Sequence, residues 1–235
     1  MIWLRSLAFA GAFYVWSAIM AIGMLPLLVL PRRFVVAGFK IWSAGIAVLL
    51  EVICAVKLEV RGREHIPQGP GLIAGKHQCM LDTMALWQFI PDTAYVTKKE
   101  LLMIPVYNFY VLKSGMVIVD REGHAAALKK LVRDCKARLA QNRQVLIFPE
   151  GTRSAPGAPP DYKPGVAALY RELAISCTPM ATNSGLHWPA HGFLRRPGTI
   201  VYEFLEPIPA GLKRGEFMRE LQARIETASD ALTNL

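Results

Sequence analysis

The first apolar run of the chain is long enough to meet a membrane. Residues 7–30 carry no charged side chain and lie between Arg5 and the basic pair that starts at Arg32. About 20 apolar residues suffice to cross the hydrocarbon core of a bilayer. The run is too long and too rich in bulky residues for a cleaved signal peptide, and no clear small-residue cleavage site follows it. It is predicted to be a retained membrane anchor.

A second apolar run, 41–56, is shorter and contains Glu51. It therefore has the character of a helix that folds back along the first run rather than of an independent span. Pro26 and the Pro-Arg-Arg sequence at 31–33 break the pattern between the two runs. Residues 1–56 are predicted to form a membrane-anchoring two-helix element, which either dips into one leaflet or crosses the bilayer as a hairpin.

From residue 57 onward, short β-branched runs alternate with longer segments of helical periodicity. This alternation is typical of an α/β domain, here 57–235. The predicted strands are 58–60, 72–74, 94–97, 116–119, 145–148, 175–180 and 199–204. The predicted helices are 80–90, 100–112, 125–141, 165–173 and 215–235. The third helix carries an apolar stripe that is predicted to face the core. The stripe consists of Leu128, Leu131, Val132, Cys135 and Leu139.

Composition narrows the class of partner. Of the 235 residues, 53% are hydrophobic and 19% are charged, so part of the surface is predicted to meet lipid. The net charge of +9 favours an anionic partner such as a phospholipid surface or a phosphorylated substrate. A nucleic acid fits poorly, because the basic residues form no Arg/Lys-rich helix and no RNA-binding motif. Four scattered cysteines indicate a reducing, cytosol-facing location.

His77 and Asp82 are the first candidates for chemistry. They follow a predicted strand and open a predicted helix, in the sequence Gly-Lys-His-Gln-Cys-Met-Leu-Asp at 75–82. An imidazole there can hold a carboxylate on one ring nitrogen and take a proton with the other, which is the general-base half of a catalytic triad. The nucleophile would then be a hydroxyl of the substrate. A histidine and an aspartate at this spacing are also common as a helix-capping pair, so the spacing alone leaves both interpretations open.

Several other strands are predicted to end near cations. The sequence Phe-Pro-Glu-Gly-Thr-Arg at 148–153 follows an apolar run, so a buried strand delivers Arg153 to the edge of the sheet where ligands of open α/β folds bind. Arg153 can bind a phosphate with two hydrogen bonds, and Gly151 lets the backbone approach closely. A solvated arginine on a surface turn is the alternative. Three further cations follow predicted strands or lie on the next loop, and together they predict an anion pocket beside His77. They are Lys98, Arg121 and Lys163.

Four blocks of the chain together resemble a known family. The blocks are H-x4-D at 77–82, G-x4-D-R at 115–121, F-P-E-G-T-R at 148–153 and Thr-Pro at 178–179. In order and spacing they are similar to the four motifs of the 1-acyl-sn-glycerol-3-phosphate acyltransferases. The resemblance covers 58–209, and the combination of H-x4-D with F-P-E-G-T-R is highly specific.

The resemblance implies a fold and a function. The implied fold is a single α/β acyltransferase domain with a central mixed sheet flanked by helices, preceded by the two-helix membrane element. The implied reaction moves a fatty acyl group from acyl-CoA or acyl-carrier protein to the sn-2 hydroxyl of 1-acyl-glycerol-3-phosphate (lysophosphatidic acid), which makes phosphatidic acid in phospholipid biosynthesis. The implied partners are these substrates and the phospholipid bilayer, with no cofactor, metal or nucleic acid. The implied location is the inner (cytoplasmic) membrane, with the catalytic domain facing the cytoplasm.

The resemblance also implies a role for individual residues. His77 would be the general base and Asp82 the carboxylate that orients it. The block formed by Thr178 and Pro179 would border the acyl or acceptor pocket. Arg121 and Arg153 would hold the glycerol phosphate, and Glu150, Gly151 and Thr152 would shape that site. Lys98 and Lys163 are candidates for the same anion pocket because of their positions after a predicted strand and on the next loop, not because of the resemblance.

Two positions depart from the family pattern. The first motif more often reads Asn-His-Gln-Ser, whereas this chain has Lys76 before the histidine and Cys79 where serine is usual. Lys76 could add to phosphate binding or replace a side-chain hydrogen bond. The acceptor could accordingly be another lysolipid, such as a lyso-ornithine lipid. Cys79 could act as a thiolate nucleophile that forms an acyl-enzyme.

Three further interpretations are weaker. A lipase or esterase would show a G-x-S-x-G sequence, which the chain lacks. His187 and His191 have a metal-like spacing, but Pro189 between them argues against a helix that presents both. The non-enzyme alternative is a lipid-binding or membrane-tethering module without turnover, and the intact pair of His77 and Asp82 disfavours it.

Overall fold

The structure, a computed structural model, describes residues 1–120 and 124–234. Within them the strands are β1 (Val56–Arg61), β2 (Gly71–Gly75), β3 (Thr93–Lys98), β4 (Val117–Val119), β5 (Gln144–Ile147), β6 (Cys177–Thr182) and β7 (Gly198–Phe204). The α-helices are α1 (Ile2–Gly23), α2 (Arg32–Cys54), α3 (Asp82–Ala85), α4 (Tyr107–Ser114), α5 (His124–Leu139), α6 (Gly165–Leu173), α7 (Ser184–His187) and α8 (Arg214–Thr233). Short 3-10 helices are Leu25–Val29, Arg63–His65 and Lys99–Met103.

The strands form one seven-stranded mixed sheet in the order β1-β7-β6-β2-β5-β3-β4. β6 and β7 pair antiparallel, and the other neighbouring strands pair parallel. The carboxyl ends of β2, β3, β4 and β5 therefore lie at one edge of the sheet. This arrangement confirms the predicted mixed sheet. It also places the segments that follow Gly75, Lys98, Val119 and Ile147 side by side, which is where an open α/β sheet binds ligands.

Helices cover both faces of the sheet. Side chains alternate along β2, so that Ile73 packs with α2, α3 and α4, whereas Leu72 and Ala74 pack with α5, α6 and α8. On the first face the core continues into the N-terminal helices, since Phe39 of α2 stacks on Trp87 with ring centroids 4.7 Å apart. The result is a three-layer α/β fold with helices on either side of the central sheet.

The predicted elements are largely confirmed. All seven predicted strands are present, and the three predicted helices 125–141, 165–173 and 215–235 correspond to α5, α6 and α8. Four of the five apolar-stripe residues in α5 are buried in the core or pack against it. The fifth, Leu128, is partly exposed and lines the cleft described below.

The predicted helix 80–90 was wrong in extent. Only Asp82–Ala85 is α-helical, and turns occupy the residues up to Ile90. Two local features account for this. The carboxylate of Asp82 accepts backbone N–H groups of the preceding loop. Ile90 precedes Pro91, whose ring disfavours helical geometry in the residue before it.

The prediction of one continuous helix over 100–112 was wrong. It divides into the 3-10 helix Lys99–Met103 and α4, because Pro105 lies between them and has no N–H to donate. The next residue, Val106, has φ 67° and ψ −47°, and the N–H of Tyr107 donates to the carbonyl of Pro105 at 2.7 Å. This is a γ-turn, a conformation that costs a β-branched residue about 1–3 kcal/mol.

The two N-terminal helices confirm the predicted two-helix element, with Pro26 in the 3-10 helix that joins them. α2 begins at Arg32 rather than at 41, because the stretch before 41 is amphipathic and buries one side against the core. The helices pack closely: the indole N–H of Trp16 donates to the carbonyl of Trp42 at 2.9 Å. A Cβ on Gly45 would lie 2.3 Å from the Trp16 ring, so the close approach needs glycine there.

Both helices are long and apolar enough to cross a membrane by length and composition, but they are buried to different extents. Of the most apolar window, 11% is buried in α1 and 33% in α2. At the start of α2, Arg32 donates to both oxygens of Asp92 at 2.8 and 2.5 Å. Asp92 also accepts a hydrogen bond of 3.2 Å from Arg143, which is fully buried. α2 thus shares the core of the α/β domain, and the domain boundary at residue 56 stays a prediction.

Candidate active site

The structure brings the predicted base and its carboxylate together. His77 lies two residues after the end of β2, and its Nδ1 lies 3.0 Å from Oδ2 of Asp82, the first residue of α3. The His77 side chain is 14% exposed, and Asp82 is fully buried. The imidazole stacks on the ring of Phe148, with centroids 4.3 Å apart. Because the contact with Asp82 uses Nδ1, the other ring nitrogen, Nε2, is left to exchange a proton.

The carboxylate of Asp82 is held by several donors. Its Oδ2 also accepts the N–H groups of Gln78 at 2.7 Å and Cys79 at 2.9 Å. Its Oδ1 accepts the hydroxyl of Tyr202 at 3.2 Å. Burial by itself raises the pKa of Asp82, but the hydrogen bond and charge of His77, with the backbone N–H of Cys79, lower it below its ordinary value overall. Asp82 is therefore an anion that fixes the orientation of the imidazole.

Cys79 is buried behind this pair. Its thiol donates to Oδ1 of Asp82 at 3.5 Å, and the residue has no exposed surface. Burial, followed by the negative charge of Asp82, raises the pKa of the Cys79 thiol well above its ordinary value. A neutral buried thiol is a poor nucleophile, so the geometry disfavours the thiolate route.

Lys76 belongs to a buried ionic network that extends to the C-terminal helix. Its ammonium lies 2.9 Å from both carboxylate oxygens of Glu226 in α8 and 3.2 Å from Oε2 of Glu150. The other oxygen of Glu150 accepts the backbone N–H of His77 at 3.2 Å. The hydroxyl of Tyr162 donates to Glu226 at 2.8 Å. Of the two interpretations of Lys76, this geometry favours an internal hydrogen-bonding role. No motif pointed to Glu226 or Tyr162.

A cleft of about 880 Å³ opens in front of His77. Most of the predicted substrate-binding residues line it, namely Lys98, Glu150, Gly151, Thr152, Arg153 and Lys163. Arg121 lies outside the described residues. Apolar and aromatic side chains from β3, α4 and α5 line another part of the wall, including Tyr95, Tyr107 and Leu128. The cleft therefore offers both cationic and apolar surface beside the imidazole.

The cations of the cleft have different partners. Arg153 donates from Nη1 to the carbonyl of Ala190 at 2.9 Å. The other N–H groups of its guanidinium remain available to donate to a bound anion. Lys163 pairs with Asp161, and both side chains are exposed. Lys98 ends β3 and is exposed. Within the described part of the chain, none of these three side chains forms a buried ion pair, so an anion could contact any of them without breaking one.

The loop after β5 is tied to the loop that carries the histidine. The N–H of Ser154 donates to the carbonyl of His77 at 2.8 Å, and Gly151 reverses the chain with φ 69°. A positive φ of this kind favours glycine, which is why the turn can bring Arg153 to the cleft. The Thr178–Pro179 block is not among the described residues that line the cleft. It lies within β6, where the Thr178 hydroxyl donates to the carbonyl of His65 at 3.2 Å.

The mixed sheet and the His–Asp pair at the carboxyl ends of its parallel strands define a class: α/β proteins whose site lies in an open cleft at the sheet edge. Residues 57–183 match the Acyltransferase family, and the chain belongs to that family.

Two relatives and one solved structure are similar to this chain. The 1-acyl-sn-glycerol-3-phosphate acyltransferase of Pseudomonas aeruginosa is 36% identical over 171 residues, which are 72% of this chain and 64% of that protein. The enzyme of that name from Helicobacter pylori is 35% identical over 67% of this chain and 68% of its own length. The chain thus spans less than two thirds of the first of these curated relatives.

The solved structure is that of the 1-acyl-sn-glycerophosphate (LPA) acyltransferase PlsC from Thermotoga maritima. It matches with a TM-score of 0.82 at 20% identity, over 99% of this chain and 98% of that chain. At this level of identity the likeness shows a shared fold, including the N-terminal helices.

Proposed function

We propose that this chain transfers a fatty acyl group from acyl-CoA or acyl-carrier protein to the sn-2 hydroxyl of 1-acyl-glycerol-3-phosphate, making phosphatidic acid. The observation that carries the proposal is the contact between His77 and Asp82 at a cleft with both cationic and apolar walls. The names of the relatives from Pseudomonas aeruginosa and Helicobacter pylori support this choice of acceptor.

In the proposed mechanism, His77 acts as a general base. Its Nε2 takes the proton of the acceptor hydroxyl while the hydroxyl oxygen attacks the thioester carbonyl, so that a C–O bond forms and the C–S bond breaks. The proton then passes from the imidazolium to the departing thiolate. Asp82 stabilises the imidazolium without taking the proton, because its pKa lies below the ordinary value.

The cations of the cleft supply the proposed phosphate site. Arg153, Lys163 and Lys98 line the same cleft as His77. Arg121, outside the described residues, is included on the resemblance alone. Glu150, Gly151 and Thr152 form the turn that presents Arg153.

The proposal includes a location. α1 and α2 anchor the chain in the cytoplasmic membrane, and the α/β domain faces the cytoplasm. The apolar surface of α1 and the basic residues near the helices support this, since cations near an anionic leaflet each add about 1 kcal/mol of attraction. Retention in membranes after a high-salt wash is expected. Release of the full-length protein by salt alone would contradict an anchor.

An acyl-transfer assay tests the reaction. Purified protein is incubated with labelled acyl-CoA or acyl-carrier protein and a panel of lysolipids that includes lysophosphatidic acid and a lyso-ornithine lipid. His77→Ala is expected to lower the rate about 10²–10⁴-fold. His65→Ala, a histidine outside the cleft, is the matched control. Full activity of a folded His77→Ala protein would overturn the mechanism, and no transfer by the unmodified chain to any acceptor would favour the non-catalytic lipid-binding module.

Arg153→Ala tests the phosphate site. A charge-assisted hydrogen bond contributes about 1.5–3 kcal/mol, so the KM for the lysolipid should rise roughly 10–100-fold while the KM for the acyl donor changes little. Arg219→Ala, an exposed arginine of α8, is the control. A rise confined to the donor KM would assign Arg153 to the donor instead.

A further inference from the structure

The α/β domain exposes large apolar side chains in one concentrated place. Outside α1, α2 and their connection, the described residues with such side chains are Met80, Met103, Ile104, Val106, Phe109, Leu112, Leu128 and Phe193. Met80 and Leu128 line the cleft, and the ring of Phe193 lies 6.0 Å from that of Trp3 in α1. The other five fall within 103–112 and form what we call the apolar ridge: Met103, Ile104, Val106, Phe109 and Leu112.

The ridge is well exposed and continuous with the surface of the two-helix element. Met103 is 82% exposed and Leu112 60%. α4 packs against α2 and against the 3-10 helix Leu25–Val29, and the hydroxyl of Tyr110 donates to the carbonyl of Ala21 at 2.5 Å. Val29, at the end of that 3-10 helix, is itself 86% exposed. Contiguous apolar surface of this kind marks a membrane or protein contact site.

The same segment borders the cleft. Leu101 and Tyr107 line the cleft wall, whereas the ridge residues between and beyond them face outward. Cations stand at both ends of the segment, Lys98 before it and Lys113 after it. Apolar side chains flanked by cations are the pattern of an element that lies in the interface of an anionic bilayer. The charge pattern and the continuity with α1 and α2 favour a lipid surface over a protein partner.

We propose that the apolar ridge is a third membrane contact, contributed by the α/β domain itself. The ridge enters the headgroup region beside the two helices and holds the mouth of the cleft at the lipid surface. A lysolipid could then pass from the bilayer into the cleft without exposing its acyl chain to water. The inference rests on the proposed membrane anchoring of α1 and α2.

Site-specific labelling of the full-length protein in anionic phospholipid vesicles tests the contact. A polarity-sensitive fluorophore is attached at Met103→Cys or Phe109→Cys, and quenching by lipids with spin labels on their acyl chains is measured. The four native cysteines are buried, so labelling is directed to the new thiol. Val29→Cys reports on the anchor. Arg219→Cys, on α8 at the other face of the sheet, is the matched control.

The expected result is quenching at positions 29, 103 and 109 and none at 219. Quenching at 29 without quenching at 103 and 109 would overturn the ridge proposal while leaving the anchor intact. No quenching at 29 would refute the anchor, and the ridge proposal with it. Cross-linking between ridge positions of two copies, without lipid quenching, would make the ridge a contact between copies and would also overturn the proposal.

A second experiment distinguishes an effect of the ridge on membrane contact from an effect on the reaction itself. Phe109 and Leu112 do not contribute to the cleft wall described above, so the double variant Phe109→Ser/Leu112→Ser should keep its rate on a short-chain, water-soluble lysolipid. Its rate on a long-chain lysolipid embedded in vesicles should fall about tenfold, because less apolar surface partitions into the bilayer. Arg219→Ser is the control. Equal rates on embedded acceptor would overturn the proposal, and equal losses on both acceptors would identify a structural defect instead and overturn it as well.

Discussion

Asp82 and Glu150 are both buried carboxylates, and both accept a hydrogen bond from His77, but at opposite ends of that residue. Asp82 contacts the ring at Nδ1, 3.0 Å away. Glu150 accepts the backbone N–H at 3.2 Å and faces the ammonium of Lys76 at the same distance. In the proposed mechanism the first carboxylate orients the imidazole that exchanges protons, whereas the second holds the loop that carries His77.

We therefore assign the charge of Asp82 to the proposed reaction and the charge of Glu150 to the stability of the fold. Among the described residues, His77 is the only potential cation that hydrogen-bonds to Asp82. In the proposed mechanism the negative charge of Asp82 therefore stabilises the imidazolium. Glu150 instead faces the ammonium of Lys76, which it shares with Glu226. Replacing members of the two sets should therefore change different measurements.

The largest effect is expected for Asp82→Asn. The amide preserves the shape but not the charge, so kcat should fall about 10²–10⁴-fold while the protein stays folded. Single-turnover rates and circular dichroism measure the two properties. A kcat close to that of the unmodified protein would remove the distinction between the two carboxylates.

Asp82→Asn should also change how the stability of the protein depends on pH. Because the pKa of Asp82 is lowered on folding, its ionised form stabilises the protein above about pH 4, and this contribution is lost as the pH falls through the lowered pKa. Urea unfolding between neutral and acidic pH should show a smaller loss of stability for Asp82→Asn than for the unmodified chain. An identical pH dependence would contradict the assignment of a depressed pKa.

Next in size is Lys76→Met, which leaves Glu150 buried without its cation. Breaking a buried pair from one side costs about 3–5 kcal/mol, so the free energy of unfolding should fall by that amount. Adding Glu150→Gln should recover part of the loss, and Lys129→Met, on the exposed surface of α5, is the control. If the kcat of Lys76→Met, measured where the variant is folded, falls as far as that of Asp82→Asn, Lys76 takes part in the chemistry as well.

A smaller effect is expected for Glu226→Gln. Glu226 is 20% exposed, and in the variant Lys76 still faces Glu150. The free energy of unfolding should fall by about 1–2 kcal/mol, with kcat almost unchanged. Denaturant titration compares it with Lys76→Met. Equal losses in the two variants would mean that Glu226, and not Glu150, is the main partner of the lysine.

The smallest effect is expected for Cys79→Ser. A hydroxyl can donate to Asp82 in place of the thiol, so stability should change by less than about 1 kcal/mol and the transfer rate should stay within a small factor. Steady-state kinetics and thermal unfolding measure both. An inactive but folded variant would restore the thiolate route that the buried position of Cys79 disfavours.

The pattern of the sequence was enough for the strands and for the first members of the site. Short β-branched runs that alternate with helical patterns located all seven strands, and strands that end together at one sheet edge predicted that His77 would lie near Arg153. Helix extents were less predictable, because a single Pro105 and the side-chain bonds of Asp82 outweighed the apolar periodicity.

The role of Lys76 could not be predicted for a different reason. Its ammonium could face either the cleft or the interior, and the choice depends on α8, which places Glu226 far along the chain from Lys76. Glu226 and Tyr162 lie in no motif, so no local pattern reveals that they meet. Such contacts follow from how the helices pack on the sheet, which periodicity alone does not specify.

The central position of β2 also has a consequence for how the chain folds. β2 pairs on one side with β5 and on the other with β6, and 73 positions separate His77 from Glu150. Each pairing must close a long loop before its contacts contribute, so this part of the sheet has a high contact order and forms slowly. The helices can appear before these strands meet. During refolding, recovery of transfer activity should therefore lag behind the recovery of helical signal, because the site exists only once the middle of the sheet is complete.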